Sequence, residues 1–190
     1  MANICSTDYV MRGPVSALKK FAEADEKVSE YESRVSDVYG ALIGGDPDID
    51  DDRGVITWCD EVDEADGSLR FHVDSAWCAP TNAMMLICKK LGVRVNWYSE
   101  EPGCEVYEKH DDDGDFDDYG YIVDDYEEGE MHNFQTFKEV KDFFGDVLST
   151  LLTAEEAASV KDVDMLERIV NDAREEIEME TVGIYEVDEV

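Results

Sequence analysis

Positive charge is the scarcest commodity in this chain. Its 190 residues include 16 lysines and arginines against 49 aspartates and glutamates, a net charge of −33. Neutralising nucleic-acid phosphates requires Lys and Arg, so direct nucleic-acid binding is excluded. An anionic membrane surface would repel the chain as well. Three histidines and an odd five cysteines, none spaced as CxxC, leave no zinc pattern. No stretch approaches the ~18 apolar residues of a membrane span. The opening "MANICSTDYVMRGP" carries no basic region followed by an apolar run. The expected compartment is a reducing cytoplasm, with Cys59, Cys78 and Cys88 as thiols among apolar neighbours.

The apolar content is ordinary. Hydrophobic residues make up 43% and aromatics 10%, which separates the chain from disordered acidic tails. It is a folded protein with an unusual surface.

Periodicity sets the order of elements. "NICSTDYVMR" reads as a strand ending at Gly13-Pro14. Val15, Leu18, Phe21 and Ala22 open a helix, long or broken, over residues 14–43, which Gly44-Gly45 ends. The apolar pattern weakens after Ala24. "GVITWCDEV" and "SLRFHVDSAW" form an antiparallel hairpin. A helix follows from Pro80 to Gly92, then strands at 93–100 and 104–110 and a strand centred on Tyr121, Ile122 and Val123. Helical patterning begins at Asn133, with a capping box at Thr153 and Glu156, and "VGIYEV" adds a last strand. The order β-α-β-β-α-β predicts an α+β, ferredoxin-like antiparallel sheet with helices on one face, plus extra strands and a C-terminal helical extension. The expected division is a ferredoxin-like domain over 1–132, with acidic segments at 46–66 and 100–130, and an extension over 133–190 packed on it.

Particular residues carry a resemblance. "MANICSTDYVMRGPVSALKKF" and "FHVDSAWCAPTNAMMLICKKLGVRVNWYSEEPGCEVY" resemble two blocks of the YubB ferredoxin-like family of plasmids, phages and bacterial genomes. The matching positions are Ala2, Asn3, Cys5, Gly13, Pro14, Phe21, Phe71, Trp77, Pro80, Tyr98, Glu100, Glu101 and Gly103. The chain departs at Ile4, where an aromatic is expected, and at Cys78-Ala79-Pro80, where the family has Ser-Pro-Pro; residues 27–52 find no counterpart. The resemblance implies a fold and a mobile-element setting. It implies no agreed activity, so no catalytic residue comes with it.

The motifs for chemistry fail. An EF-hand register starting at Asp115 puts Tyr119 and Tyr126 at ligand positions, and one starting at Asp46 puts Asp51 where glycine belongs. No metal site or cofactor is expected. With 49 acids some carboxylate pair is always available, so a hydrolytic pair carries no signal. Cys78 with His72 or His110 lacks any catalytic-family surroundings. Lys89, Lys90 and Arg94 read as a helix C-terminus with favourable dipole contacts.

The acids themselves remain. Residues 100–130 hold fifteen acids and one lysine; residues 46–66 hold ten acids and one arginine. The expected partner surface comprises Asp46, Asp48, Asp50, Asp51, Asp52, Asp60, Glu61, Asp63 and Glu64 in one run. Glu105, Glu108, Asp111, Asp112, Asp113, Asp115, Asp117, Asp118, Asp124, Asp125, Glu127 and Glu128 form the other. Carboxylates on alternate strand residues, ~6.6 Å apart, imitate a row of phosphates. The expectation is a non-enzymatic, acidic binding or inhibitor protein of a phage or mobile element. Its partner would be a basic, nucleic-acid-binding host protein. Two alternatives stand beside it: an assembly module that homo-oligomerises through its C-terminal helices, forming for instance a homodimer, and an enzyme with a carboxylate cleft.

Overall fold

The computed structural model describes residues 3–29, 32–45 and 53–190. The chain divides into two compact units, residues 1–116 with 189–190, and residues 117–188.

The first unit is built on β1 (Ile4–Arg12), α1 (Val15–Val28), β2 (Ser33–Arg34), α2 (Val35–Leu42), β3 (Val55–Cys59), β4 (Ser68–Ala76), α3 (Thr81–Leu91), β5 (Arg94–Glu101) and β6 (Val106–His110). The sheet runs β10-β6-β5-β1-β4-β3-β2, where β10 (Asp188–Glu189) is the last strand of the chain. Its centre, β5-β1-β4-β3, is antiparallel throughout and is the ferredoxin-like arrangement of the β-α-β-β-α-β order. Cys5, Thr7, Tyr9 and Met11 alternate inward along β1, while Ser6 and Asp8 face the other way. Register places Tyr9 opposite Phe71 and Trp97. The Tyr9 and Phe71 rings stack at 5.1 Å, and Phe21 from α1 closes on Phe71 at 4.9 Å. Gly92 ends α3 in the left-handed conformation, φ 70°.

Of the two forms expected over 14–43, a long helix or a broken one, the chain takes the broken one, as two helices with a short strand between them. Ser29 is extended at the end of α1, and Ser33–Arg34 pair with Ile56 and Val55 of β3 before α2 begins. The break follows the loss of apolar spacing after Ala24: without a buried stripe, backbone pairing to a sheet edge prevails over helix continuation.

The second unit contains β7 (Tyr121–Asp125), β8 (Glu130–Phe134), α4 (Phe137–Phe143), α5 (Gly145–Leu151), α6 (Ala154–Ser159), α7 (Val163–Glu176) and β9 (Val182–Glu186). Its sheet order is β8-β7-β9. Val123, Val140, Phe144, Leu148, Leu166, Val170 and Ile184 form a core of its own. The division at residue 117 precedes the change of character read at Asn133, because β7 pairs with β8 and β9 rather than with the first sheet. Asn133 itself lies in β8, not in a helix; α4 starts two residues after Gln135, at a capping box of Thr136 and Glu139. The expected box at Thr153 and Glu156 is present. No described helix is long and apolar enough to cross a membrane.

Candidate acidic interaction surface

Residues 111–116 form a latched loop rather than a row of free charges. Asp111 accepts the backbone N–H groups of Asp115 and Phe116, both at 2.9 Å. Arg12 donates from Nε to both oxygens of Asp115, at 3.0 and 2.8 Å, and Asn96 Nδ2 donates to Asp115 at 2.5 Å. Asp113 takes Arg94 Nη2 at 2.7 Å and Nε at 3.2 Å. Asn96, fully buried, also accepts the Asp112 N–H at 3.3 Å. The Asp115 side chain has no exposed surface. Burial opposes its charge, but hydrogen bonds from Arg12 and Asn96 outweigh that and hold its carboxyl below the usual range. The Arg94 hydrogen bond does the same for Asp113. An EF-hand reading of Asp115 fails on these grounds too: Arg12 occupies its carboxylate.

Other members of the expected surface are also engaged. Asp125 is buried and paired with Arg174, whose Nη1 donates at 2.8 Å, and it accepts the N–H groups of Glu127 and Glu128. The Arg174 hydrogen bond lowers its pKa. Beside it, Asp124 is raised, by burial first and by Asp125 second. Glu127 accepts the Glu180 N–H at 3.0 Å. Asp63 folds its own turn by accepting the N–H groups of Ala65 and Asp66. Glu64 pairs with Lys19. Asp60, Glu61, Glu105, Asp112, Asp117 and Asp118 are exposed, and Glu108 is half-buried on β6. Asp46, Asp48, Asp50, Asp51 and Asp52 lie outside the described residues.

A second concentration was legible only in part in the charge runs, through Asp60, Glu61 and Glu64. The latter half of α1 and the strand β3 enclose a groove of about 750 Å³. Glu23, Asp25, Glu26, Glu32, Asp60, Glu61 and Glu64 are among the residues that line it. Lys19 is the one basic residue in its lining among the described residues. Ala22, Ile56 and Val62 supply the apolar part, while Trp58 turns its ring to His72 on the open face of the sheet. Burial raises the Asp25 carboxyl, partly offset by a hydrogen bond from Ser33. The groove's signal in sequence is the acidic "AEADEK" where the apolar spacing of α1 weakens, but only the fold sets it opposite "TWCDE".

Two further clusters are narrower in meaning. On the open face of the first sheet, His72 places Nδ1 2.6 Å from Asp8 and Nε2 3.2 Å from both Ser6 and Asp74. The Ser–His–Asp geometry is superficial. An imidazole with a carboxylate at each nitrogen donates to both only when protonated, and then cannot take the Ser6 proton. His110 is stacked on Trp97 and bonded to the Val190 carbonyl. Both histidines considered for a pair with Cys78 thus have other polar partners. In the second unit, Glu128, Glu130 and His132 bring one ligand atom each within 4.8 Å of one another. The two glutamates are exposed, so water competes for any cation there.

At the end of β4, several residues of the family resemblance converge. Trp77 donates its N–H to the Asn3 carbonyl at 3.1 Å, with φ 75°. Gly103 is held so close that a Cβ would lie 2.5 Å from Asn3 Nδ2 and 3.0 Å from Glu101 Oε1.

With this geometry in view, comparison with known proteins adds one relation. Residues 55–144 match the family described as a ferredoxin-like domain in Api92-like protein. The match supports a ferredoxin-like domain, in agreement with the strand order of the first sheet. No curated protein and no solved structure matches the chain.

Proposed function

We propose that the protein is a non-enzymatic acidic binding module that occupies the basic, nucleic-acid-binding surface of another protein. The observation that carries this reading is the charge left after internal pairing. If each of the 16 lysines and arginines neutralised one carboxylate, a net −33 would still remain. That surplus accelerates encounter with a cationic surface and disfavours any partner of its own sign. The aromatic content and a core in each unit give the charge a folded support.

The YubB-like opening and the Trp77–Pro80 block support a phage or plasmid setting, where an inhibitor of a DNA-handling or defence protein would be useful. The latched loop narrows which acids can imitate phosphates. Asp113, Asp115 and Asp125 are absorbed by Arg94, Arg12 and Arg174, so the outward charge belongs to the remaining acids. Competition between duplex DNA and this protein for a captured partner tests the reading, with salt as the second variable.

A further inference from the structure

We propose that Glu128, Glu130 and His132, in the hairpin of β7 and β8, form a binding site for one divalent transition-metal ion of the zinc class. The site lies within the second unit alone and stands independently of the acidic-module reading.

The hairpin sets the three ligands on fixed backbone. Glu130 and His132 lie two residues apart on β8, so they share one face of the strand. Register places Glu130 opposite Asp125 and His132 opposite Val123 of the second core. Glu128 comes from the turn, where Gly129 takes φ 65° and donates its N–H to the Asp125 carbonyl at 2.7 Å. The Asp125 carboxylate accepts the N–H groups of Glu127 and Glu128 and is itself held by Arg174. Phe143 of α4 packs on the His132 ring at 4.9 Å and on Phe134 at 5.3 Å. One ligand atom from each of the three residues already lies within 4.8 Å of the other two. Atoms bound ~2.1 Å from a tetrahedral ion are ~3.4 Å apart, so the side chains close by at most ~1.4 Å. Rotation of the two exposed glutamates supplies that movement.

His132 separates this cluster from the many carboxylate groupings of the chain. The other two histidines are engaged, His72 with Asp8, Ser6 and Asp74, and His110 with the Val190 carbonyl. Neither ring nitrogen of His132 has a hydrogen-bond partner among the described residues, and its Nε2 is buried. A neutral imidazole carries one acceptor nitrogen, and here no described group uses it. Leaving a polar ring unsatisfied in a partly buried place costs stability, which a bound ion offsets. Glu128 and Glu130 make no ion pair among the described residues. Arg174 feels the charge of Glu128 but is committed to Asp125 and to the Glu180 carbonyl. A cation between the two glutamates relieves their mutual repulsion. The donor set chooses the ion. Imidazole suits zinc and its transition-metal neighbours, whereas calcium takes six or more oxygens and magnesium a near-ideal octahedron of them. Three protein ligands leave the next position to water.

The test titrates Zn²⁺ into the full chain carrying Cys78→Ser and Cys104→Ser, which removes the two exposed thiols as competing ligands. Magnesium at ~5 mM and salt at ~0.15 M saturate diffuse attraction to the other acids. Calorimetry reads one zinc per chain, and the imidazole resonances of His132 shift while those of His72 and His110 stay in place. Glu128→Gln with Glu130→Gln, both exposed, weakens zinc binding about tenfold or more, and His132→Gln does the same. His72→Gln, or Glu175→Gln with Glu176→Gln on α7, leaves it within about twofold. Zinc raises the thermal midpoint of the parent chain and not that of the Glu128, Glu130 variant. Unchanged affinity in that variant overturns the site, as do zinc shifts at His72 or His110 with none at His132. Equal competition by Ca²⁺ overturns the zinc-class assignment, because attraction is then that of carboxylates alone. None of these outcomes bears on the capture of basic partners, which is measured separately.

Discussion

Arg12 on β1 and Asp115 in the loop after β6, 103 residues apart, form a two-toothed pair in which Nε donates to both carboxylate oxygens. The Asp115 side chain has no exposed surface, and Asn96 also donates to its carboxylate. This pair converts the most acidic stretch of the chain into a fixed part of the first unit.

Removing Arg12 leaves a buried carboxylate with Asn96 and a distant Arg70, 3.9 Å away, as its polar company. Arg12→Ala therefore destabilises the first unit by about 3 kcal/mol, read as a lowered urea midpoint. Asp115→Asn costs less, because an amide leaves no uncompensated charge. A double-mutant cycle gives a coupling well above that of Arg94→Ala with Asp113→Asn, whose arginine is exposed.

Stability depends on pH in two opposed ways. Asp115 and Asp125 have depressed folded pKa values, held down by Arg12 and Arg174. Their stabilisation is present above the unfolded value of about 4 and is lost as pH falls through the lower folded values. Asp25 is raised, so its charged form weakens the fold, and stability returns as pH falls through that raised value. Protonation also relieves the self-repulsion of a −33 chain. Urea midpoints should rise from pH 7 to about 5 and collapse below about 3.5.

Acids that look alike in sequence should separate in binding. Asp113→Asn with Asp115→Asn lowers stability and leaves partner affinity within about twofold, since these charges are already matched internally. Asp60→Asn with Glu61→Gln leaves stability unchanged and weakens the partner, measured by titration at one salt concentration.

Gly13 joins β1 to α1 against Val93. A Cβ there would sit 2.8 Å from Val93 Cγ1 and 3.3 Å from its Cα. Gly13→Ala overpacks a core position and costs about 1–3 kcal/mol by thermal or urea unfolding. Gly145→Ala, with no neighbouring atom within 4 Å, is the neutral comparison.

Much of the fold was readable because it rests on local rules. The alternation in "SLRFHVDSA", Pro80 and Gly92 around α3, and the Thr153–Glu156 box announce their elements within a few residues. The weakened spacing after Ala24 hints at the break, but the strand within it was not readable, since Ser33 and Arg34 become a strand only through Ile56 and Val55. Neither was β8, whose Met131 and Phe134 lack strict alternation and depend on β7 for pairing. The site divides the same way. Charge runs point to an acidic surface, but local sequence cannot tell Asp112, exposed, from Asp115, buried under an arginine more than a hundred positions away. Glu23, Asp25 and Glu26 carry no signal of their own in the sequence, and only the fold gathers them with Asp60 and Glu61.

The central claim is that the outward acids of this protein occupy a nucleic-acid site. Immobilised full-length protein, exposed to bacterial lysate at ~0.1 M salt and then eluted with duplex DNA, tests it most directly. The account predicts that the retained proteins bind nucleic acid, that DNA releases them in proportion to its concentration, and that ~0.5 M salt abolishes capture. Retention that DNA does not compete and that persists unchanged at high salt contradicts it.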